Sequence, residues 1–253
     1  MPRRSAVLLL VVLALPLLVT GEAGRRVTAT SAPAAGADYN ARFTFTRIRY
    51  SGSYGGFGRG NSAWSHDYPQ ADLNLPSVLS EISRVQPTLG RSHVLDLEDP
   101  DIFRNPVIYL SEPGFWRITD EGARNLRTYL LKGGFIIFDD FEDLGGQWAN
   151  FAAQFQRALP EYRFIEIDVK HPIFHTFFDL QKLDTPHPLV RVTPIYLGVF
   201  EDNDPAKRMM AMINLNADLA EYWEWSGQGF FAIDPTNDAY KIGINYIIYG
   251  LTH

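Results

Sequence analysis

The sequence predicts an α/β fold of one domain, in which a doubly wound and mainly parallel sheet carries helices on both faces. Short apolar runs alternate along the chain with segments whose apolar residues recur every three or four positions. Two of the apolar runs, VIYL at 107–110 and FIIF at 135–138, contain no polar residue, as expected of strands that are covered on both faces. Alternating strands and helices produce parallel strands joined by right-handed crossovers.

The predicted strands share either alternating polarity or continuous apolar character. They cover residues 43–50, 94–97, 107–110, 135–138, 163–167, 194–200 and 209–214. The predicted helices share an apolar stripe of helical period. They cover residues 72–84, 119–133, 148–159 and 240–251, with Thr119 as an N-cap and Gly133 at a C-terminus. Residues 51–64 are a glycine-rich loop without the GxxxxGK[ST] phosphate-binding pattern.

The N-terminus is typical of an exported protein. Arg3 and Arg4 precede an apolar run over 6–19, which is shorter than the roughly 20 residues that span a bilayer. We therefore expect residues 1–23 to be a signal peptide or an N-terminal membrane anchor, residues 24–40 to be an Ala/Gly/Thr-rich linker, and residues 41–253 to be the folded domain. The domain would lie on the periplasmic side, and residues 6–19 would contact the inner membrane if they are not cleaved.

Composition excludes several classes of function. The chain has 23 Lys and Arg against 29 Asp and Glu, a net charge of -6, which argues against a nucleic-acid partner. It contains no cysteine, which excludes a disulfide framework, a zinc ribbon, an iron–sulfur cluster and a cysteine nucleophile. No sequence pattern predicts a metal ion or another cofactor.

Ligands of doubly wound sheets bind beyond the carboxyl ends of the strands, where strand order reverses. Asp139 and Asp140, which follow the FIIF strand, are therefore the first catalytic candidates. Two adjacent carboxylates can bind a cation, or one can act as a base while its neighbour shifts its pKa. Adjacent strand residues point to opposite faces, so both line one site only if the chain has begun to turn. The alternative is that one of them caps the turn.

Histidines supply further candidates. His66, beside Asp67, is the third catalytic candidate because a carboxylate can orient an imidazole base, although the pair could equally tie down its loop. His171 and His175 have the i, i+4 spacing of a helical metal face but lack the HExxH pattern, and Pro172 lies between them. We interpret these two histidines as structural.

A polar and aromatic segment follows the last predicted strand. Carboxylates, amides and indole rings together suit sugars or a polar partner surface, whereas the alternative is that the tryptophans pack in the core. The weaker ligand-binding candidates taken from this segment and from the end of the VIYL strand are Glu112, Asn214, Asp218, Trp223 and Trp225.

Seven segments together resemble a bacterial domain of unknown function, the family numbered 4159. They are RIRY at 47–50, WSHDYPQADLNL at 64–75, LEDPDIFRNPVIYLSEPG at 97–114, LRTYLLKGGFIIFDDF at 126–141, HPIFHTFFDL at 171–180, INLNADLAEYWEW at 213–225 and GINYIIYGLTH at 243–253. The family looks like a branch of the class I glutamine amidotransferase-like superfamily, and this resemblance implies a flavodoxin-like sheet.

Amidotransferase chemistry itself is excluded, because it needs a thiolate at a strand-to-helix elbow and this chain has no cysteine. Ser111 follows a strand, but its SEPG context is not the GxSxG elbow of a serine hydrolase.

The sequence favours one function class over an alternative. The first is a non-catalytic, exported accessory or scaffold subunit of a membrane-associated complex, of electron-transfer, photosynthetic, transport or secretory type. The alternative is an envelope hydrolase, or a protein that binds glycans or small ligands, which uses Asp139, Asp140 and His66.

Overall fold

The computed structural model describes residues 42–52 and 62–253, which all belong to one compact unit. The strands are β1 (Thr46–Arg49), β2 (His93–Asp96), β3 (Val107–Ser111), β4 (Phe135–Phe141), β5 (Ile165–Glu166), β6 (Ile195–Phe200) and β7 (Met209–Leu215). The α-helices are α1 (Gln70–Ile82), α2 (Asp120–Leu131), α3 (Gln147–Ala158), α4 (Leu219–Glu224) and α5 (Ile233–Thr252). The expected signal or anchor, the linker and most of the glycine-rich loop lie outside the described residues.

The seven strands form one sheet in the order β2-β1-β3-β4-β7-β6-β5. The first five strands of this order pair in parallel, and β6 and β5 add to the edge as antiparallel strands. The predicted α/β, flavodoxin-like and mainly parallel sheet is thus confirmed. The chain leaves β1 toward β2 and returns on the other side of β1 as β3, so strand order reverses between β1 and β3. Ligands are expected at the carboxyl ends of these strands.

Each face of the sheet has its own apolar core. Helices α1, α4 and α5 pack on one face together with Phe135 and Ile137 of β4. Helices α2 and α3 pack on the other with Ile136 and Phe138. Successive residues of β4 therefore alternate between the two cores, as the period of a strand requires. This confirms the expectation that the FIIF segment is a doubly covered strand.

Several element boundaries differ from those predicted. Helix α4 was not predicted, because its six residues are too few to show a helical period. Helix α5 begins at Ile233 rather than at residue 240, since a polar first turn hides the apolar stripe and Pro235 is tolerated there. Strand β5 has only two residues. Among the described residues, no helix is both long and apolar enough to cross a bilayer.

Candidate functional site

The site lies where β1, β3, β4 and β7 end at the same edge of the sheet. Strand β4 carries one extra residue relative to β7, because Phe138 pairs with Ile213 while Phe141 pairs with Leu215. Such a bulge bends the strand and redirects a side chain. The bulge contains Asp139 and Asp140, and the two carboxylates have different surroundings.

Asp139 is fully buried and holds the start of α4. Its Oδ2 accepts hydrogen bonds from the backbone N–H groups of Leu219 and Ala220, at 3.0 and 3.2 Å, and from the Tyr109 hydroxyl at 3.1 Å. Its Oδ1 accepts from Asn214 Nδ2 at 2.9 Å. Burial raises the pKa of Asp139 to about 6, although these donors work in the opposite direction. With both oxygens engaged, Asp139 is a structural anchor for α4.

Asp140 turns toward a different set of groups. Its backbone has a left-handed φ of 67°, which brings its carboxylate toward the side where Ser111 lies. The Ser111 hydroxyl donates to Asp140 Oδ2 at 3.0 Å, and the same oxygen lies 2.7 Å from His66 Nδ1. The chain has therefore begun to turn inside β4, and the turn brings Asp140 to His66 while Asp139 contacts Asn214 and the start of α4.

A buried ion pair positions the loop that carries His66. Arg47 of β1 pairs with Asp72 of α1 at 2.6 Å, and both side chains are inaccessible to solvent. The same guanidinium donates to the backbone carbonyls of Trp64 and His66, at 3.1 and 2.9 Å. It also lies 4.9 Å from the ring centre of Tyr109. Arg47 thus joins the end of β1, the start of α1 and the His66 loop.

Three more acidic side chains surround His66. Asp67 has a φ of 61° and its Oδ2 lies 3.5 Å from His66 Nδ1. Asp218 accepts a hydrogen bond from the backbone N–H of Glu221 at 2.9 Å, which makes it the N-cap of α4. Donor atoms of Glu221 and Asp67 lie close to the same imidazole. We call His66, Asp67, Asp140, Asp218 and Glu221 the acidic cluster.

Burial and mutual repulsion disfavour the ionised carboxylates of the acidic cluster. Burial raises the pKa of Asp140 well above its usual value, and the charge of Asp139 raises it further. Burial also raises the pKa of Asp67 and Asp218, and the charge of Asp140 adds to both shifts. Grouped acids with shifted pKa values can bind a proton, a cation or a polar substrate, and such groups concentrate at functional sites.

The structure brings together three of the residues that the sequence singled out: His66, Asp140 and Asp218. Asn214 contacts Asp139 instead. Glu112 follows β3 with a φ of 53°, and its carbonyl accepts a hydrogen bond from the Tyr50 hydroxyl at 2.7 Å.

The two tryptophans of the polar and aromatic segment each pack against another aromatic ring. Trp223 is 1% exposed and packs on Tyr109, with ring centres 6.2 Å apart. Trp225 lines an apolar cavity between α1 and α5 and packs on Phe230.

Sequence reasoning missed Arg47, Asp72 and the contribution of Glu221. One signal was present for Arg47, which follows Phe43 and Phe45 at every second position and therefore points into the core. A charged residue on the buried face of a strand is unusual enough to mark a special role.

A polar cavity of about 760 Å³ opens at the ends of β1 and β2. Its lining includes Arg49, Tyr50, Trp64, Trp116 and Glu98. Tyr50 and Trp64 connect this cavity to the surroundings of the acidic cluster, because the Tyr50 hydroxyl donates to the carbonyl of Ser111 and the Trp64 carbonyl accepts from Arg47.

Comparison with known proteins identifies one family. The sequence model of a domain of unknown function, DUF4159, matches residues 44–251, which is most of the chain. No curated protein matches the sequence.

Proposed function

The chain belongs to the DUF4159 family, and from the geometry of its acidic cluster we propose that the domain is a hydrolase of glycans or other polar envelope material. In this proposal the acidic cluster binds and activates a water molecule at the carboxyl edge of the sheet. The polar cavity at the ends of β1 and β2, which is lined in part by Trp64 of the loop that carries His66, receives the substrate.

One observation carries the proposal: the 2.7 Å contact between His66 Nδ1 and Asp140 Oδ2. A buried carboxylate beside an imidazole fixes the orientation of the ring. The His66 side chain is 36% exposed, whereas that of Asp140 is 6% exposed. Solvent therefore reaches the imidazole, while the carboxylate that orients it is shielded.

Water is the proposed nucleophile, because the side chains that usually attack are missing or engaged elsewhere. The chain has no cysteine. The Ser111 hydroxyl donates its hydrogen to the side chain of Asp140, whose pKa is raised. In a Ser-His-Asp triad the serine bonds to the imidazole, whereas here the hydrogen bond of the Ser111 hydroxyl is with the carboxylate of Asp140.

The lining of the polar cavity at the ends of β1 and β2 favours a polar substrate such as a sugar chain. Its lining combines the indole ring of Trp64 with the charged side chains of Arg49 and Glu98. Aromatic faces bind the apolar faces of sugar rings, and charged groups bind the hydroxyls. The predicted export of the chain would place this cavity in contact with envelope material.

The test is turnover by the purified full-length chain in mild detergent, with dye-labelled peptidoglycan and 4-nitrophenyl glycosides and esters as probes. We expect the wild-type protein to release product, and Asp140→Asn and His66→Gln to reduce the rate at least a hundredfold. Asp184→Asn is the matched control, because it removes a carboxylate that is 63% exposed and pairs with Lys182 on the surface. Equal rates in all four proteins, or no turnover of any probe, would contradict the proposal.

A second candidate is the accessory-subunit role, and an exposed apolar surface favours it. Phe230 is 67% exposed and Ile233 is 74% exposed, beside the apolar cavity of about 620 Å³ between α1 and α5. Exposed apolar surface of this kind often marks a protein contact. The proposed partner is a subunit of a membrane-associated complex on the periplasmic side.

Purification from membranes in mild detergent tests this second candidate, with the co-purifying proteins identified by mass spectrometry. We expect a defined membrane complex with the wild-type chain and its loss with Ile233→Lys. Leu189→Lys is the control, because Leu189 is 66% exposed and does not line that cavity. A wild-type chain that purifies alone would contradict the subunit role.

A further inference from the structure

We propose that the acidic cluster binds one divalent cation, held by His66, Asp67, Asp140, Asp218 and Glu221. This inference deepens the proposed hydrolase and rests on it for the catalytic use of the cation, whereas the binding itself has its own evidence and its own test.

The donor atoms are close enough to share one ion. One donor atom each from His66, Asp140 and Asp218 lie within 4.8 Å of one another, and the same holds for His66, Asp67 and Glu221. Ligands at 2.0–2.6 Å from a common ion are separated by no more than roughly 5 Å. His66 belongs to both groups, so the two sets of donors lie next to one another at this imidazole.

The carboxylate of Asp67 is buried and has no hydrogen-bond partner among the described residues. It is 4% exposed, and neither of its carboxylate oxygens accepts a hydrogen bond from any described residue. The carboxyl groups of Glu221 and Glu224 lie within its reach, but a pair of carboxyl groups shares a hydrogen bond only while one of the two is protonated. A buried carboxylate without a partner is strongly destabilising, so the presence of Asp67 at this position indicates that another group binds to it.

The charge balance of the cluster also calls for a cation. Asp67, Asp140, Asp218 and Glu221 are between 2% and 8% exposed. In the part of the chain that the structure describes, His66 is the one basic side chain within 4.0 Å of these carboxylates. The nearby guanidinium of Arg47 is paired with Asp72 instead. A cation bound among these four carboxylates would stabilise their ionised forms, which burial and mutual repulsion otherwise disfavour.

The ligand set points to a cation of the Mn²⁺ type. Carboxylate oxygens suit Mg²⁺, Ca²⁺ and Mn²⁺, whereas imidazole nitrogen suits the transition metals. Mn²⁺ accepts both kinds of donor. A cation in this position would lower the pKa of a bound water molecule.

The backbone holds the donors in place before a cation arrives. Asp218 is fixed by its hydrogen bond to the start of α4, and the His66 loop is fixed by Arg47. Asp140 is fixed by Ser111. Ligands that are already oriented lose less entropy on binding, which favours affinity.

The experiment measures cation binding without any substrate. The full-length protein in mild detergent is stripped with EDTA, and Mn²⁺, Mg²⁺, Ca²⁺ and Zn²⁺ are titrated separately by calorimetry, with the midpoint of thermal unfolding recorded in parallel. We expect one Mn²⁺ per chain and an increase of several degrees in that midpoint. Asp67→Asn and Asp218→Asn should weaken binding at least tenfold, while Asp184→Asn should bind as the wild type does.

The two neutral variants are chosen to fold. Asn tolerates the left-handed backbone of residue 67, and Asn is as good an N-cap as Asp at position 218. Stoichiometric binding of any of the four cations that is lost in both variants supports the site. Absence of binding for all four, or binding that survives in both variants, overturns it. Turnover that persists in EDTA overturns the catalytic use of the cation but keeps the hydrolase, whereas binding without turnover keeps the cation site and overturns the hydrolase.

Discussion

Asp139 and Asp140 are neighbours in the sequence, yet their carboxylates belong to different parts of the molecule. Asp139 binds the first backbone amides of α4, whereas Asp140 contacts His66 and Ser111. The bulge in β4 and the left-handed backbone of Asp140 separate the two roles. The pair therefore supplies one structural anchor and one candidate catalytic group.

We expect Asp139→Ala to destabilise the protein by about 3 kcal/mol, because each buried donor left without a partner costs about 1–3 kcal/mol. The amides of Leu219 and Ala220 lose their acceptor, and Asn214 loses one as well. Urea unfolding followed by tryptophan fluorescence measures the change. A loss below about 1 kcal/mol would mean that α4 does not depend on this carboxylate.

Asp140→Asn should have the opposite effect on stability when no cation is bound. Burial and the charge of Asp139 raise the pKa of Asp140, so the folded state retains a proton that the unfolded state releases. Stability contributed by this group is therefore present at low pH and is lost as the pH rises above the unfolded value of about 4. In EDTA at pH 8, we expect Asp140→Asn to unfold at a higher temperature than the wild type.

The same comparison at pH 4 is the control for that prediction, because Asp140 is then protonated in the folded state. The difference between the two proteins should shrink there. The prediction is contradicted if Asp140→Asn is less stable than the wild type at pH 8 and this deficit is smaller at pH 4. That result would show that the ionised carboxylate stabilises the fold.

The buried pair of Arg47 and Asp72 is testable by a double-mutant cycle. Arg47→Met leaves a buried carboxylate without its partner, which costs about 3–5 kcal/mol. Replacing both residues, as Arg47→Met with Asp72→Leu, should cost clearly less than the sum of the single changes. Urea unfolding gives the free energies, and additive losses would contradict the strong coupling between the two side chains.

His171 predicts a separate dependence on pH, away from the acidic cluster. Burial against the surrounding protein lowers its pKa, although the nearby Asp168 works in the other direction. The unfolded chain therefore binds a proton more readily than the folded one, and stability is lost as the pH falls below about 6.5. We expect His171→Gln to lose less stability than the wild type between pH 7.5 and pH 5.5, measured by thermal unfolding. Identical losses would rule out a contribution from this histidine.

Sequence patterns predict the sheet well because each central strand has a clear apolar signature. They predict Asp140 and His66 as catalytic candidates because the end of an apolar strand and a neighbouring His–Asp pair can both be recognised in the sequence. The acidic cluster itself is not visible there, since Asp67, Asp140 and Glu221 come from three distant segments that only the fold brings together. The six-residue helix α4 and the burial of Asp139 against its start depend on tertiary contacts, which no local sequence pattern encodes.

No metal was expected from the sequence, because its histidines and acids do not follow the spacing of a known ligand motif. A spacing motif reports ligands that share one helix or loop. Donors contributed by a loop, a strand bulge and the start of a helix have no fixed spacing, so the proposed cation site had no signal of that kind.

Four residues with side chains, Asp67, Glu112, Asp140 and Asn216, adopt left-handed backbone conformations at this edge of the sheet. Glycine would occupy each of these conformations with less steric conflict. A library screened only for thermal tolerance should therefore accumulate glycine at these four positions, whereas a library screened for the biological role of the protein should retain the side chains. Comparing the two outcomes would separate the edge positions that serve chemistry from those that only serve folding.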